Sequence, residues 1–460
     1  MKTLQIELSA KVKIHPADLS PDLVNYLKKH LYVHNYQYFL REKMGKSTWK
    51  IPKGYCFLKE GKEHYTVPRG VLGTLIKYCQ KQQIPYQLSD LRPNPPPVQY
   101  NSEINLYPYQ NAALKKLITK DFGILVSPPG TGKTLIALEL IARRKLPALI
   151  LVHRKQLLSQ WIDRIQSFLK IPKSELGYFT GNKKKEGDTI TLGMLQTLSK
   201  YPVNRKLQNS FGTVVIDECH HLPANTFRKA IIKFNSRYCL GLTATPTRKN
   251  KDEKLIYFFI GDIVDQIKNN DGEKQLEDNL KVCIKKTNIK IPFNWKIDDV
   301  NLINKILIYD TGRNMQIKED VENQISQNKK ILLLTERNEH VEILNYYLKP
   351  NHEVITISGQ DSASRRKEKI DLIKKNRFQV LISTGQFFGE GMDVPCLNCL
   401  FLVFPFSFEG KLIQYIGRIQ RKSGAKMIFD YYDHHLDYYQ ILFSKRLQSY
   451  RKFTRQIEYI

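Results

Sequence analysis

Polar and apolar residues alternate at the start of the chain. Leu4, Ile6 and Leu8, then Val12 and Ile14, occupy every second position, the period of a strand with one covered face, and predict a small sheet. Val67-Pro68-Arg69-Gly70 marks a turn before a helical run through Leu72, Leu75, Ile76 and Cys79. Arg92-Pro93-Asn94-Pro95-Pro96-Pro97 then reads as a stiff, extended linker. From Ile104 the pattern changes to short, wholly apolar runs separated by helical periods. Runs at 124–126, 148–152, 189–192, 213–216 and 239–242 predict buried parallel strands with helices on both faces. A second series begins beyond about residue 250, with strands at 331–334, 354–357, 380–383 and 400–403 and a helix at 339–348. The expected class is α/β: an N-terminal α+β accessory domain (1–100) and two tandem lobes, 101–250 and 251–460, the second with a connecting segment and C-terminal helices.

The first lobe carries the chemistry. Phe122 to Leu135 reads as strand, tight glycine loop, helix, with Pro129, Gly130, Thr131 and Gly132 leading into Lys133 and Thr134. Glycines permit the backbone to turn its N–H groups onto phosphate oxygens, and the helix N-terminus favours an anion there. Lys133 would reach the outer phosphates of ATP and the Thr134 hydroxyl would hold Mg²⁺, with Leu135 in the same helical turn. Ahead of it, Tyr107 and Gln110 precede a helix and could stack on and hydrogen-bond an adenine. The strand at 213–216 ends in Asp217-Glu218-Cys219-His220, which puts two carboxylates at the same sheet edge as Lys133. Asp217 can hold Mg²⁺ and Glu218 can polarise the attacking water. Thr243 and Thr245, at the end of the strand at 239–242, are placed to sense the γ-phosphate and relay its state, and His220 is assigned to the same coupling. Arg154, Gln160 and Thr197 follow other strand ends and could line a groove for a phosphate backbone.

The second lobe has no phosphate loop. It offers Thr384 at a strand end, Gly391 and Asp393, and the run Gln414 to Arg421, in which Arg418 and Arg421 share a helix face. Guanidinium groups projecting from one lobe toward a triphosphate on another form a charge clamp.

Composition narrows the partner. Lys and Arg number 73 against 44 Asp and Glu, a formal charge of +29, and a surplus of that size points to nucleic acid. In the first 100 residues Tyr32, Tyr36, Tyr38, Phe39, Tyr55, Phe57 and Tyr65 are interleaved with basic residues, which suits either base stacking or an aromatic core. No apolar run approaches the ~18 residues of a membrane span. The N-terminus lacks signal-peptide character, and seven scattered cysteines suit a reducing compartment, the cytoplasm.

Taken together, these motifs resemble superfamily 2 helicases and translocases. LYPYQ is similar to the adenine motif of that family, SPPGTGKT to motif I, HRKQLLSQW to motif Ia and DECH to motif II. TATP, STGQFFGEGMDVP and QYIGRIQR are similar to motifs III, V and VI. The segment after TATP and the Thr311 to Asn314 stretch resemble the XPB-like and phage UvsW-like branch. The resemblance implies two RecA-like lobes with ATP between them and nucleic acid across both, DNA favoured in duplex or branched form. Lys133, Thr134, Asp217, Glu218, Gln414, Arg418 and Arg421 would form the ATPase centre, with Gly391 and Asp393 coupling the lobes. Where XPB-like proteins carry Arg-Glu-Asp, this chain has Arg248-Lys249-Asn250, so the acidic member is missing. RNA as substrate and a non-hydrolysing ATP-dependent clamp remain the alternatives; a monomer is compatible with all three.

Overall fold

The computed structural model describes residues 3–460 except 129, 182, 222–224, 245–251, 268–279, 294–297, 390–393, 395, 408–411, 413–414, 417–424 and 452. The chain divides into two compact units, Met1–Lys268 and Asn269–Ile460. The accessory segment therefore belongs to the same unit as the phosphate loop.

That segment contains β1 (Leu4–Leu8), β2 (Lys11–Ile14), α1 (Pro21–His30), β3 (Tyr32–His34), α2 (Tyr36–Lys43), β4 (Gly54–Cys56), β5 (Tyr65–Pro68), α3 (Leu72–Lys81) and β6 (Tyr86–Asp90). Four strands form a sheet in the order β5-β2-β1-β6, and β3 pairs with β4 as a separate hairpin. The alternating residues Leu4, Ile6, Leu8, Val12 and Ile14 are all buried, against Leu23, Leu27 and Leu75 of the helices. None of the seven interleaved aromatics is fully buried: Tyr32, Phe39 and Tyr55 are exposed and the others partly so.

The first lobe follows as α4 (Pro108–Ile118), β7 (Phe122–Val126), α5 (Lys133–Arg144), β8 (Ala148–Val152), α6 (Lys155–Leu169), β9 (Gly177–Phe179), β10 (Lys184–Lys185) and β11 (Ile190–Met194). It continues through α7 (Leu195–Lys200), α8 (Arg205–Asn209), β12 (Thr213–Ile216), α9 (Asn225–Ile231), β13 (Tyr238–Thr243), α10 (Lys254–Ile260) and β14 (Ile263–Gln266). Its sheet runs β10-β9-β11-β8-β12-β13-β7-β14, and every neighbouring pair except β10–β9 is parallel. The central strands β8 and β12 are buried throughout, which is why they read as unbroken apolar runs. β14, beyond the expected boundary at 250, is the edge strand beside β7.

The second unit is a seven-stranded, wholly parallel sheet of β15 (Leu280–Lys286), β16 (Ile331–Thr335), β17 (Val354–Ile357), β18 (Val380–Thr384), β19 (Cys399–Leu402), β20 (Lys426–Tyr432) and β21 (Ile457–Tyr459). The order is β17-β18-β16-β19-β20-β15-β21. Buried ion pairs tie its helices to the sheet: Arg313 to Asp433 at 2.8 Å, and Arg446 to Asp430 at 2.8 Å. Arg313, noted in the sequence for its motif, thus has a structural partner.

The stretch expected to be a linker is docked. Arg92 bonds Asp90 at 2.6 Å, Asp121 at 2.7 Å and the Arg237 carbonyl at 2.6 Å, and it lies over the Phe122 ring. Val98 N–H donates to the Lys145 carbonyl. Gly70 approaches the backbone of α10 so closely that a Cβ would stand 2.3 Å from the Tyr257 carbonyl oxygen and 2.6 Å from the Gly261 nitrogen. Two backbones meet there, and neither can move aside as a side-chain end can. Gly70→Ala is expected to cost about 1–3 kcal/mol, the usual range for overpacking. A denaturation midpoint unchanged from wild type would contradict this packing.

Candidate active site

Three adjacent strands of the first lobe deliver the site. β12, β13 and β7 are neighbours in that order, and all are parallel, so their carboxyl ends share one edge. β7 ends in the phosphate loop. Gly130 and Gly132 hold φ of 86° and 83°, left-handed values that a side chain resists. A Cβ on Gly132 would stand 2.3 Å from Gln110 Nε2. The loop is braced from below: Gln110 Nε2 donates to the Thr131 carbonyl at 2.8 Å, and the Thr131 hydroxyl donates to the Pro128 carbonyl at 2.6 Å and meets Ser127 Oγ. From this loop α5 starts at Lys133, with Thr134 and Leu135 half-buried in its first turn.

β12 delivers the acids. Lys133 Nζ donates to Glu218 Oε1 at 2.9 Å, and both side chains are 13% exposed. His220 Nδ1 stands 3.2 Å from the other oxygen of Glu218 and 3.0 Å from Thr243 Oγ1 at the end of β13. Asp217 is buried and accepts from Trp161 Nε1 at 2.9 Å and from the Glu218 N–H at 3.0 Å. Glu218 itself has φ of 50°, a strained conformation for a side-chain-bearing residue, held by these contacts on every side.

The charges are shared unequally. Burial and the neighbouring Glu218 charge raise Asp217 above its ordinary carboxyl value, outweighing Lys133. Burial also acts to raise Glu218, but the Lys133 ammonium and His220 outweigh it and hold that carboxyl well below the usual range. Two buried carboxylates thus face one ammonium.

Residues 103–248 match the model of the type III restriction enzyme res subunit, and residues 313–423 match that of the helicase conserved C-terminal domain. Protein L396 of Acanthamoeba polyphaga mimivirus, provisionally named an ATP-dependent RNA helicase, is 28% identical over 305 residues, covering 65% of this chain and 57% of that protein. The chain therefore matches less than two thirds of that relative's length. The DNA 3'-5' translocase XPB2 of Sulfurisphaera tokodaii is 25% identical over 397 residues, covering 76% of this chain and 86% of that one. Among solved structures, Dbp5 of S. cerevisiae bound to RNA and ADP BeF3 is similar with a TM-score of 0.58 and 16% identity, over 77% of this chain and 89% of that one. The chain belongs to superfamily 2 of the helicases and translocases. Its fold is the two-lobed RecA-like arrangement.

For this superfamily 2 chain, the structure brings Lys133, Thr134, Asp217, Glu218, His220 and Thr243 to one edge. Tyr107 is 66% exposed and stacks on Tyr109 at 6.0 Å between centroids. Gln110, expected at an adenine edge, is instead buried, with its oxygen accepting from Tyr107 N–H at 2.9 Å and its nitrogen under the loop. Arg154 precedes α6, Gln160 lies within it and Thr197 within α7, all half-buried; Thr384 ends β18 in the second unit. Pro129, Thr245, Gly391, Asp393, Gln414, Arg418, Arg421 and the Arg248-Lys249-Asn250 triplet lie outside the described residues. Trp161 was not expected at the site; its indole, 56 positions from Asp217, gives no local signal. No cluster of His, Cys, Asp and Glu that could hold a metal occurs among the described residues, and no described helix is long and apolar enough to cross a membrane.

Removing Lys133 leaves the two acids without their ammonium. Lys133→Ala is expected to destabilise the protein at pH 7 by about 1–3 kcal/mol, less than the ~3–5 of a fully enclosed pair. Glu218 is depressed, so its contribution is present above its ordinary value of 4.5 and is lost as pH falls below that. The gap between wild type and variant in urea denaturation should therefore hold from pH 7 to about pH 5 and narrow as pH falls below 4.5. A gap that widens would contradict the pairing.

Proposed function

We propose that the chain is an ATP-dependent DNA helicase or translocase of the XPB-like and UvsW-like branch, acting on duplex or branched DNA. The observation that carries this reading is the Lys133–Glu218 pair, formed across a glycine loop whose geometry fits phosphate oxygens. A triphosphate on that loop would take Lys133 away from Glu218. Glu218 is then released to orient water and accept its proton. Trp161 and the Glu218 N–H hold Asp217 in place, and His220 and Thr243 report on the Glu218 side chain through their shared contacts.

The residues present also fit Mg²⁺. Among the described residues Asp217 accepts only from Trp161 and the Glu218 N–H while Lys133 is bonded to Glu218, and Thr134 stands at the same helix mouth. Thr134 and Asp217 would hold the ion, which when bound neutralises charge on the phosphates. Gln414, Arg418 and Arg421 enter the reading from their motif alone, as do Gly391 and Asp393. Arg154, Gln160, Thr197 and Thr384 would grip nucleic acid.

DNA is preferred over RNA because the relative named as a DNA translocase is matched over the larger share of both chains. The name of the mimivirus relative brings RNA in as the second reading. ATP turnover measured with duplex DNA, forked DNA and RNA separates the two. DNA should stimulate most, with stimulation falling steeply as salt rises, because the +29 surplus meets phosphates. Glu218→Gln should lower stimulated turnover about 10²- to 10⁴-fold. Strongest stimulation by RNA would overturn the substrate, and wild-type turnover in Glu218→Gln would overturn the mechanism.

A further inference from the structure

The first lobe contains a run of tilted, closely packed rings that the proposed ATPase chemistry does not use. His220, beside Glu218, packs on His221 with ring centroids 4.2 Å apart and planes at 38°. His221 packs in turn on His153, again at 4.2 Å and at 45°. Phe227 of α9 closes on both, at 6.3 Å from His153 and 6.4 Å from His221. His153 is 7% exposed and immediately precedes Arg154, the residue that opens α6. Its carbonyl accepts from Gln196 Nε2 at 2.8 Å, and Gln196 adjoins Thr197 on α7. From the β8–α6 loop and α7 to Glu218, then, the structure places rings in van der Waals contact.

We infer that His153 and His221 are positioning residues, a packed relay through which displacement of the β8–α6 loop is felt by His220 and Glu218. The inference rests on the proposed function, since it assigns the loop's displacement to nucleic acid seated on Arg154 and Thr197. The physical reason is packing. Flat rings in contact cannot interpenetrate, so a shift at His153 moves His221, and His221 moves the ring that contacts Glu218 and Thr243. His220 lies two residues from Glu218, whose backbone holds a φ of 50°, and its Nδ1 stands 3.2 Å from that carboxylate. The relay needs ring faces and not ring nitrogens, so phenylalanine should serve in place of either histidine.

The test uses the full-length protein and four variants: His153→Ala, His221→Ala, the double alanine variant and His221→Phe. ATP turnover is read without nucleic acid and with saturating duplex DNA, and DNA affinity is read by fluorescence anisotropy. Each alanine variant should keep turnover without DNA and DNA affinity within about 2-fold, and lose about 2- to 30-fold of the stimulation. The double variant should be no worse than the more damaged single, because both break one path. His221→Phe should keep most of the stimulation, and it carries the test if the alanine variants unfold. Full stimulation in the alanine variants, additive losses, or loss of stimulation in a folded His221→Phe would overturn the relay alone. Wild-type turnover indifferent to every nucleic acid would overturn the motor reading and the relay with it.

Discussion

An ammonium and a carboxylate 2.9 Å apart hold the catalytic edge of the first lobe in place. Much of their attraction is offset by the cost of removing both from water, so the contact is a holding arrangement more than a source of stability. What it does is set charge. It holds the Glu218 carboxyl well below its usual range against the upward push of burial, while Asp217, the neighbouring acid, is raised by burial and by the Glu218 charge. Under the proposed function, a site in that condition would pass Lys133 to phosphate and accept a divalent ion.

The sheet explains why so few residues suffice. β13 lies between β7 and β12, so Thr243 stands between the phosphate loop and the acidic pair, and the Ser127 N–H donates to the Thr243 carbonyl. Any change at one strand end is met by a polar contact from the next. The accessory segment adds rigidity from outside, since α10, which connects β13 to β14, is pressed by Gly70 on one side while Arg69 and Arg92 flank Phe122 at the start of β7.

Much of this was legible in the sequence, and the parts that were not share a cause. Strands buried on both faces announce themselves as apolar runs, so β7, β8, β12 and β13 were placed within a residue or two, as were β16 and β18. β14 escaped because an edge strand reading IVDQ is short and partly exposed. The phosphate loop and acidic pair are local motifs, whereas the Trp161 contact to Asp217 and the His153–His221 ring contact join residues far apart in sequence. Gln110 shows the limit of motif reading: its position was right, but burial turned its amide toward the loop and the Tyr107 backbone. The linker reading failed for a similar reason, since a proline run signals extension and says nothing of what Arg92 grips.

The central claim is that Lys133 is borrowed by Glu218 and passes to the phosphates of ATP. Equilibrium binding of ATP with Mg²⁺ to wild type and to Glu218→Gln tests it most directly. If the pair is the holding contact described here, the variant binds at least as tightly as wild type, because its lysine is no longer tied to a carboxylate. Binding more than about tenfold weaker in a folded Glu218→Gln protein, equivalent to some 1.4 kcal/mol, would contradict it.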